Sequence, residues 1–218
     1  MSKVVLFGTG PFAEVAHFLL TNDSEHSVVG FTVHDTYRTD STFCGLPLVP
    51  FESLEQQFPP SEVALYTAVG YKNVNQLRAQ IYTEAKSRGY SFITYVSSKC
   101  TNWCNSIGEN TFIFEDNTLQ PFTHIGNNVV LWSGNHIGHH STIGDHCYIT
   151  SHVVVSGQVK IGDYTFIGVN ATLRDSITVG KLNVIGAGAI IMKSTQDHEV
   201  YVPERTKPFP KSSDQINF

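Results

Sequence analysis

The chain has 218 residues and a formal net charge of −5, from 14 Lys/Arg and 19 Asp/Glu. That length holds two compact units. The mild acidity, without Lys/Arg clusters, speaks against nucleic acid as a partner, and no apolar run reaches the roughly 20 residues of a membrane-spanning helix. Residues Met1 to Gly10 read as a strand and turn, with no charged segment ahead of an apolar signal core, so a cytoplasmic protein without membrane insertion is expected. Of the four cysteines, Cys100 and Cys104 form C-x-x-x-C with no second pair to complete a zinc site. Reduced, buried thiols are the expectation.

Val4 to Phe7 is a short apolar run that suits a buried strand. Gly8-Thr9-Gly10-Pro11-Phe12-Ala13 follows as G-x-G-x-x-A. Phe12, Val15, Ala16, Leu19 and Leu20 then share one face of a helix. Ser27 to Val33 reads as the second strand and delivers Asp35 at its end. This is a Rossmann-like β-α-β start, in which bare glycine backbone lets a diphosphate approach unpaired N–H groups at a helix N-terminus. The same residues would also make a plain tight turn. Pro11 removes one donor, and about ninety residues are too few for a complete dinucleotide domain.

Gly45 to Pro50 reads as a turn and edge segment, and Phe51 to Phe58 as a short helix stopped by Pro59-Pro60. Glu62 to Val69 is a further strand. Gly70 to Asn73 turns into a helix carrying Val74, Leu77, Ile81, Tyr82 and Ala85, with Gly89 as its C-cap. Tyr90 to Val96 reads as the last strand of a domain spanning 1–98, with the boundary near Ser97-Ser98-Lys99. Lys72, Asn73 and Arg78 sit where open α/β sheets bind ligands, just past a strand's carboxyl end.

From Ile107 to Ile191 every sixth residue is aliphatic, without a missed step. The next residue is often glycine, as in Gly126, Gly144 and Gly168. Two positions before the aliphatic, the residue is small or polar, as in Thr111, Ser141 and Ala171. A period of six fits neither a helix nor a two-faced strand. It fits a hexapeptide solenoid over 99–218, in which three hexads make one triangular coil. The aliphatic side chain points inward, worth roughly 1.5–3 kcal/mol each when fully buried, and the glycine is expected to supply the corner dihedrals. Trp132, Arg174 and Met192 stand where glycine is common. The proline-bearing tail after Met192 is expected to cover the last coil, whose open edge would otherwise invite strand addition.

Six histidines crowd the solenoid: His124, His136, His139, His140, His146 and His152. Hexad spacing puts them on different faces, so they do not all converge within one subunit, and the faces of neighbouring subunits in a trimer could bring some together. Here the chain resembles the nucleotide-sugar acyltransferases of the left-handed parallel β-helix class, the PglD-like and perosamine N-acetyltransferases, over nearly its whole length. That family carries H-[DE]-x-x-I-G-D. The matching run is His139-His140-Ser141-Thr142-Ile143-Gly144-Asp145, which gives His139 the place of the general base and His140 that of its acidic partner.

The resemblance implies an α/β Rossmann-like domain followed by a left-handed parallel β-helix, assembled as a homotrimer with sites between subunits. It implies acetyl transfer from acetyl-CoA to the 4-amino group of a dTDP- or UDP-linked 4-amino-4,6-dideoxyhexose, with no metal. Tyr148, Gly168, Val169, Gly186 and Ala187 match the acetyl-CoA contacts. Gly8, Gly10, Pro11 and Phe12 match the nucleotide turn, Asp35 the pyrimidine contact, and Lys72 joins them from its place after the strand. The family's closing G-x-P-A-K is altered to Tyr201-Val202-Pro203-Glu204-Arg205. Sugar O-acetylation, a zinc-dependent carbonic-anhydrase-like activity and a non-catalytic scaffold are the competing readings.

Overall fold

The computed structural model describes residues 2–216. The front unit is built on one twisted sheet, with β1 (Lys3–Phe7), β2 (Ser27–Val33), β3 (Thr42–Phe43), β4 (Leu46–Pro50), β5 (Ala64–Thr67) and β6 (Ser91–Phe92) in the order β3-β4-β2-β1-β5-β6. All neighbours are parallel except the β3–β4 hairpin. Its two-residue turn, Cys44-Gly45, has φ of 47° and 75°, the primed geometry that matches strand twist. Helix α1 (Pro11–Asn22) links β1 to β2, and α3 (Gln76–Ser87) links β5 to β6. The short α2 (Leu54–Gln57) ends before Pro59.

Alternation along the strands sorts the core. Val4, Leu6 and Tyr66 face α1 and the solenoid, while Val5, Phe7 and Leu65 face the α2 and α3 side. Tyr90–Val96 is not one strand. Ser91–Phe92 ends the front sheet, and Tyr95–Val96 is already the first rung of the solenoid, paired with Phe112–Ile113. The reason lies in the partners: Ile93 N–H still bonds to Leu65, two residues before Tyr95 N–H bonds to Thr111. The first coil is also one residue short. Val96 pairs with Ile113, Asn102 with Leu119 and Ile107 with Ile125, so the six-residue register holds only from Ile107 onward.

Beyond it the chain winds as a left-handed parallel β-helix of two-residue strands in three sheets. Ile113, Leu131, Ile149, Ile167 and Ile185 stack on one another at 0 % exposure. One face, with Phe112, Val130 and Tyr148 pointing outward, is covered by the front unit in a shared core. A second face carries His136, Val154 and Ile190, and a third carries His124, Thr142 and Lys160.

The corner glycines are not where the chain turns left-handed. Gly126, Gly138, Gly144 and Gly168 keep ordinary φ, and a β-carbon on them would lie 2.4–2.5 Å from atoms of the next coil. At these four positions the next coil leaves no room for a β-carbon. Positive φ falls two residues later, at Asn110, Asp116, Phe122, Asn128, Gly134, His140, His146, His152 and onward every sixth residue. Asn, Asp and His are the non-glycine residues that best tolerate this region, so the corner rule itself accounts for His140, His146 and His152.

The tail caps the solenoid only in part. Val200–Tyr201 adds a last strand to the covered face, but residues 202–215 are exposed, since their prolines lack the N–H donors of a regular ladder. No helix among the described residues is long and apolar enough to cross a membrane.

Candidate functional site

Two regions qualify by their chemistry. The first is a cavity of about 410 Å³ at the carboxyl ends of β1, β2 and β5, the switch point at which open α/β sheets bind ligands. Gly8, Gly10, Pro11, Phe12 and Lys72 all line it. Gly8 has φ of 133°, and a β-carbon there would lie 2.6 Å from Ala68 O, so the fold itself requires that glycine. Gly10 and Gly70 are different. Neither has positive φ, and nothing lies within 4 Å of where their β-carbons would be, so the folded chain leaves that space open. Among the described residues, the Thr9 and Gly10 N–H groups donate to no protein acceptor, although Gly8 N–H reaches Thr32 O. Pro11 fills the first helical position and Gly10 caps α1 without a side-chain bond. Two unpartnered N–H groups at the start of a helix thus belong to the cavity lining, a setting that favours an anion.

Asp35 does not line the cavity. Its carboxylate accepts from Arg38 Nε at 3.0 Å, and its N–H donates to Glu52. His34 and Tyr37 take the wall instead, with His34 Nδ1 3.0 Å from Glu52 Oε1. Tyr37 is 72 % exposed and offers an aromatic face at the rim. Phe12 reaches past the cavity into the shared core, among Tyr66, Phe112, Phe114, Trp132 and Tyr148 at centroid distances of 5.7–6.4 Å.

Lys72 is carried by a turn of unusual backbone. Asn73, Val74 and Asn75 have φ of 53°, 50° and 64°, a left-handed run that costs roughly 1–2 kcal/mol per residue. Asn75 and Arg78 follow it at 0 % exposure. The Arg78 guanidinium donates to the carbonyls of Asn128, His146 and Cys147 and to the side chains of Asn128 and Asn75. Arg78 is thus the bolt between front unit and solenoid, not a ligand contact. Burial lowers its pKa. Its Nε and the buried Tyr66 hydroxyl have no partner among the described residues.

The second region is the corner between the second and third faces. The His139 ring lies over Gly157, where a β-carbon would meet its Cε1 at 2.7 Å. Its Nδ1 sits 3.0 Å from His140 Nδ1, and its N–H donates to Gln120. The His139 ring thus has the neighbouring ring of the same chain as its partner. With the proton of that contact on His139 Nδ1, Nε2 is left as a free acceptor. Phe122, in the coil before, packs on His140 at 4.6 Å. Both histidines are exposed.

The other histidines do not join them. His136 stands on the second face and His124 on the third, with His124 Nδ1 2.8 Å from Ser106 Oγ. His152 caps the corner over Gly134. His146 is held by Asn128 at 2.9 Å, and burial, then the Arg78 charge, lowers its pKa. Among the described residues no group of three or more His, Cys, Asp or Glu is arranged to hold a metal ion.

Tyr148 lies against the front unit at 4 % exposure, its hydroxyl accepting from Trp132 Nε1 at 2.6 Å and its ring 5.2 Å from Tyr71. Gly168 and Gly186 are required by coil stacking, with Ala187 N and Tyr201 O at 2.5 and 2.7 Å from their built β-carbons. Val169 and Ala187 are exposed on that corner. Sequence reasoning overlooked His34, Tyr37 and Gly70, and the demand that His139 makes on Gly157. Gly157 was the available signal, a glycine one coil on from His139.

Residues 122–157 and 158–193 match the family described as bacterial transferase hexapeptide (six repeats). No curated protein matches the chain. Among solved structures, the acetyltransferase domain of PglB from Neisseria gonorrhoeae FA1090 is 22% identical, with a TM-score of 0.80, covering 92% of this chain and 96% of that one. PerB from Caulobacter crescentus, in complex with CoA and GDP-perosamine, is 21% identical with a TM-score of 0.80, covering 95% and 98%. WeeI from Acinetobacter baumannii AYE is 17% identical with a TM-score of 0.77, covering 92% and 96%. Both units and their order are shared with these folds.

Proposed function

We propose that the protein is an acetyl-CoA-dependent N-acetyltransferase acting on the 4-amino group of a nucleotide-linked 4-amino-4,6-dideoxyhexose. The observation that carries this reading is the exposed His139, with Nδ1 tied to His140 and Nε2 unpartnered. A protonated amine has no lone pair with which to attack a thioester. A neutral imidazole whose ordinary pKa is about 6.5 is suited to take that proton near neutral pH. The amine nitrogen bonds to the acetyl carbon, His139 Nε2 takes its proton, and the C–S bond then breaks. The proton passes to the leaving thiolate, which departs as CoA thiol. A backbone N–H from a glycine corner would stabilise the tetrahedral oxyanion.

The nucleotide occupies the switch-point cavity, its diphosphate against Gly8, Gly10 and Lys72 and its base near Tyr37. UDP and dTDP are the expected carriers, and the guanine nucleotide in the PerB complex adds GDP to those worth testing. Acetyl-CoA lies along the exposed corner of Val169 and Ala187 of one subunit, facing His139 of a neighbour in a homotrimer. The complexes of similar structures with acetyl-CoA and CoA support acetyl-CoA as the cosubstrate.

Incubation with acetyl-CoA and UDP-, dTDP- and GDP-linked 4-amino sugars should release CoA thiol, and the matching 4-hydroxy sugars should not. His139→Ala should lower turnover at least about tenfold. Thiol release from no amino sugar, or unchanged turnover in the variant, would remove the proposal.

A further inference from the structure

The segment Gly70 to Asn75 sends Tyr71 to the solenoid, 4.6 Å from Phe166, and Lys72 to the cavity wall. It does so through one left-handed turn, closed by Asn75 N–H to Tyr71 O at 3.2 Å. Val74, in the middle with φ of 50°, is β-branched and the least suited kind of residue for it. A plain link from β5 to α3 has no need of such a backbone. Strain of this kind persists where the surroundings over-determine it.

The surroundings here can be named. Asn75 Nδ2 donates to Tyr164 O at 2.8 Å and Thr165 O at 3.3 Å, on the solenoid. Asn75 Oδ1 accepts from Arg78, whose other bonds all end on residues 128, 146 and 147. Lys72, by contrast, has no carboxylate within ion-pair distance among the described residues. One end of the turn is fixed to the solenoid, and the other presents an uncommitted ammonium to a cavity already supplied with free N–H donors.

We infer that Asn75 and Arg78 are positioning residues, which use the solenoid wall to hold the left-handed turn so that Lys72 meets the diphosphate of a bound nucleotide. The inference rests on the nucleotide reading of the cavity and adds to it how the second unit shapes that site. Tyr82 and Lys86, at the far end of α3, also join it to the solenoid through Glu109. They leave the turn alone and serve as a control.

The test is a double-mutant cycle read by calorimetric titration with UDP, dTDP and GDP. Asn75→Gly tolerates the same φ while removing three side-chain bonds, and should weaken nucleotide binding about tenfold. Lys72→Ala should cost about tenfold in the parent but under about twofold in the Asn75→Gly background. Tyr82→Phe should leave binding unchanged although it weakens the same interface. If circular dichroism shows Asn75→Gly unfolded, Arg78→Lys takes its place in the same cycle. Unchanged affinity in the anchor variant, or a full Lys72→Ala effect within it, overturns the positioning role while leaving the cavity reading intact. A parent that binds none of the three nucleotides overturns both.

Discussion

Two corners of the prism carry a histidine at the same left-handed position, one hexad apart, and do opposite things with it. His140 and His146 have φ of 60° and 64°. At His146 the front unit closes over the corner, and the ring is held by Asn128 under the Arg78 guanidinium. At His140, among the described residues, no hydrogen bond reaches the ring from the front unit, and it stays exposed with its Nδ1 3.0 Å from His139 Nδ1. The backbone rule that places a histidine is the same at both. What covers it decides whether it holds the fold or remains free to act.

The comparison breaks most sharply through Arg78. Arg78→Met should destabilise the protein by roughly 3 kcal/mol or more, since several carbonyls lose a charged donor in a dry interface. Urea unfolding measures it, and a loss under about 1 kcal/mol would mean that water replaces the guanidinium there.

At the open corner, His140→Gly keeps the left-handed φ but frees the His139 ring. Turnover should fall roughly tenfold, part of the 10²–10⁴-fold that a positioned base supplies, with stability within about 0.5 kcal/mol. His140→Glu restores a carboxylate beside His139 and should move the acid limb of kcat/KM to higher pH, because a nearby negative charge favours the imidazolium. An acid limb that does not move would detach His140 from the base.

The smallest effect belongs to the closed corner. His146 has a folded pKa below its ordinary value, chiefly from burial. The unfolded chain therefore binds that proton first, and this part of the stability is present above about pH 6.5 and fades as pH falls through the lower folded value. His146→Asn, a residue already used at this rung by Asn110 and Asn128, should flatten the urea midpoint between pH 7.5 and 5.5. An equal slope in both proteins would assign it elsewhere, for instance to other buried groups.

The solenoid was legible because its pattern is local: an inward aliphatic every six residues needs no knowledge of distant contacts. The β-α-β start was legible for the same reason, and Gly8, Gly10, Pro11, Phe12 and Lys72 do meet in one cavity. What escaped depended on contacts across the chain. Arg78 reads as a surface residue of α3 until residues 50 and 69 positions away supply its acceptors. Asp35 stands at the end of β2, where it was expected to meet a pyrimidine, until Arg38 and Glu52 turn it aside. The glycine that often follows the aliphatic was expected to supply the corner dihedrals, and only the spacing between coils reveals it as a clearance.

The shortened first coil has a consequence for how this architecture can change length. Past Ile107 the winding keeps about 18 residues to each turn, and a residue inserted within a rung would rotate the later side chains off the axis. The stretch between Asn102 and Ile107, five residues where six are usual, is the place where the phase already changes. Growth or shrinkage of the spiral would therefore lift or lower the His139 ledge against the front unit in discrete steps of about 4.8 Å, like a ratchet.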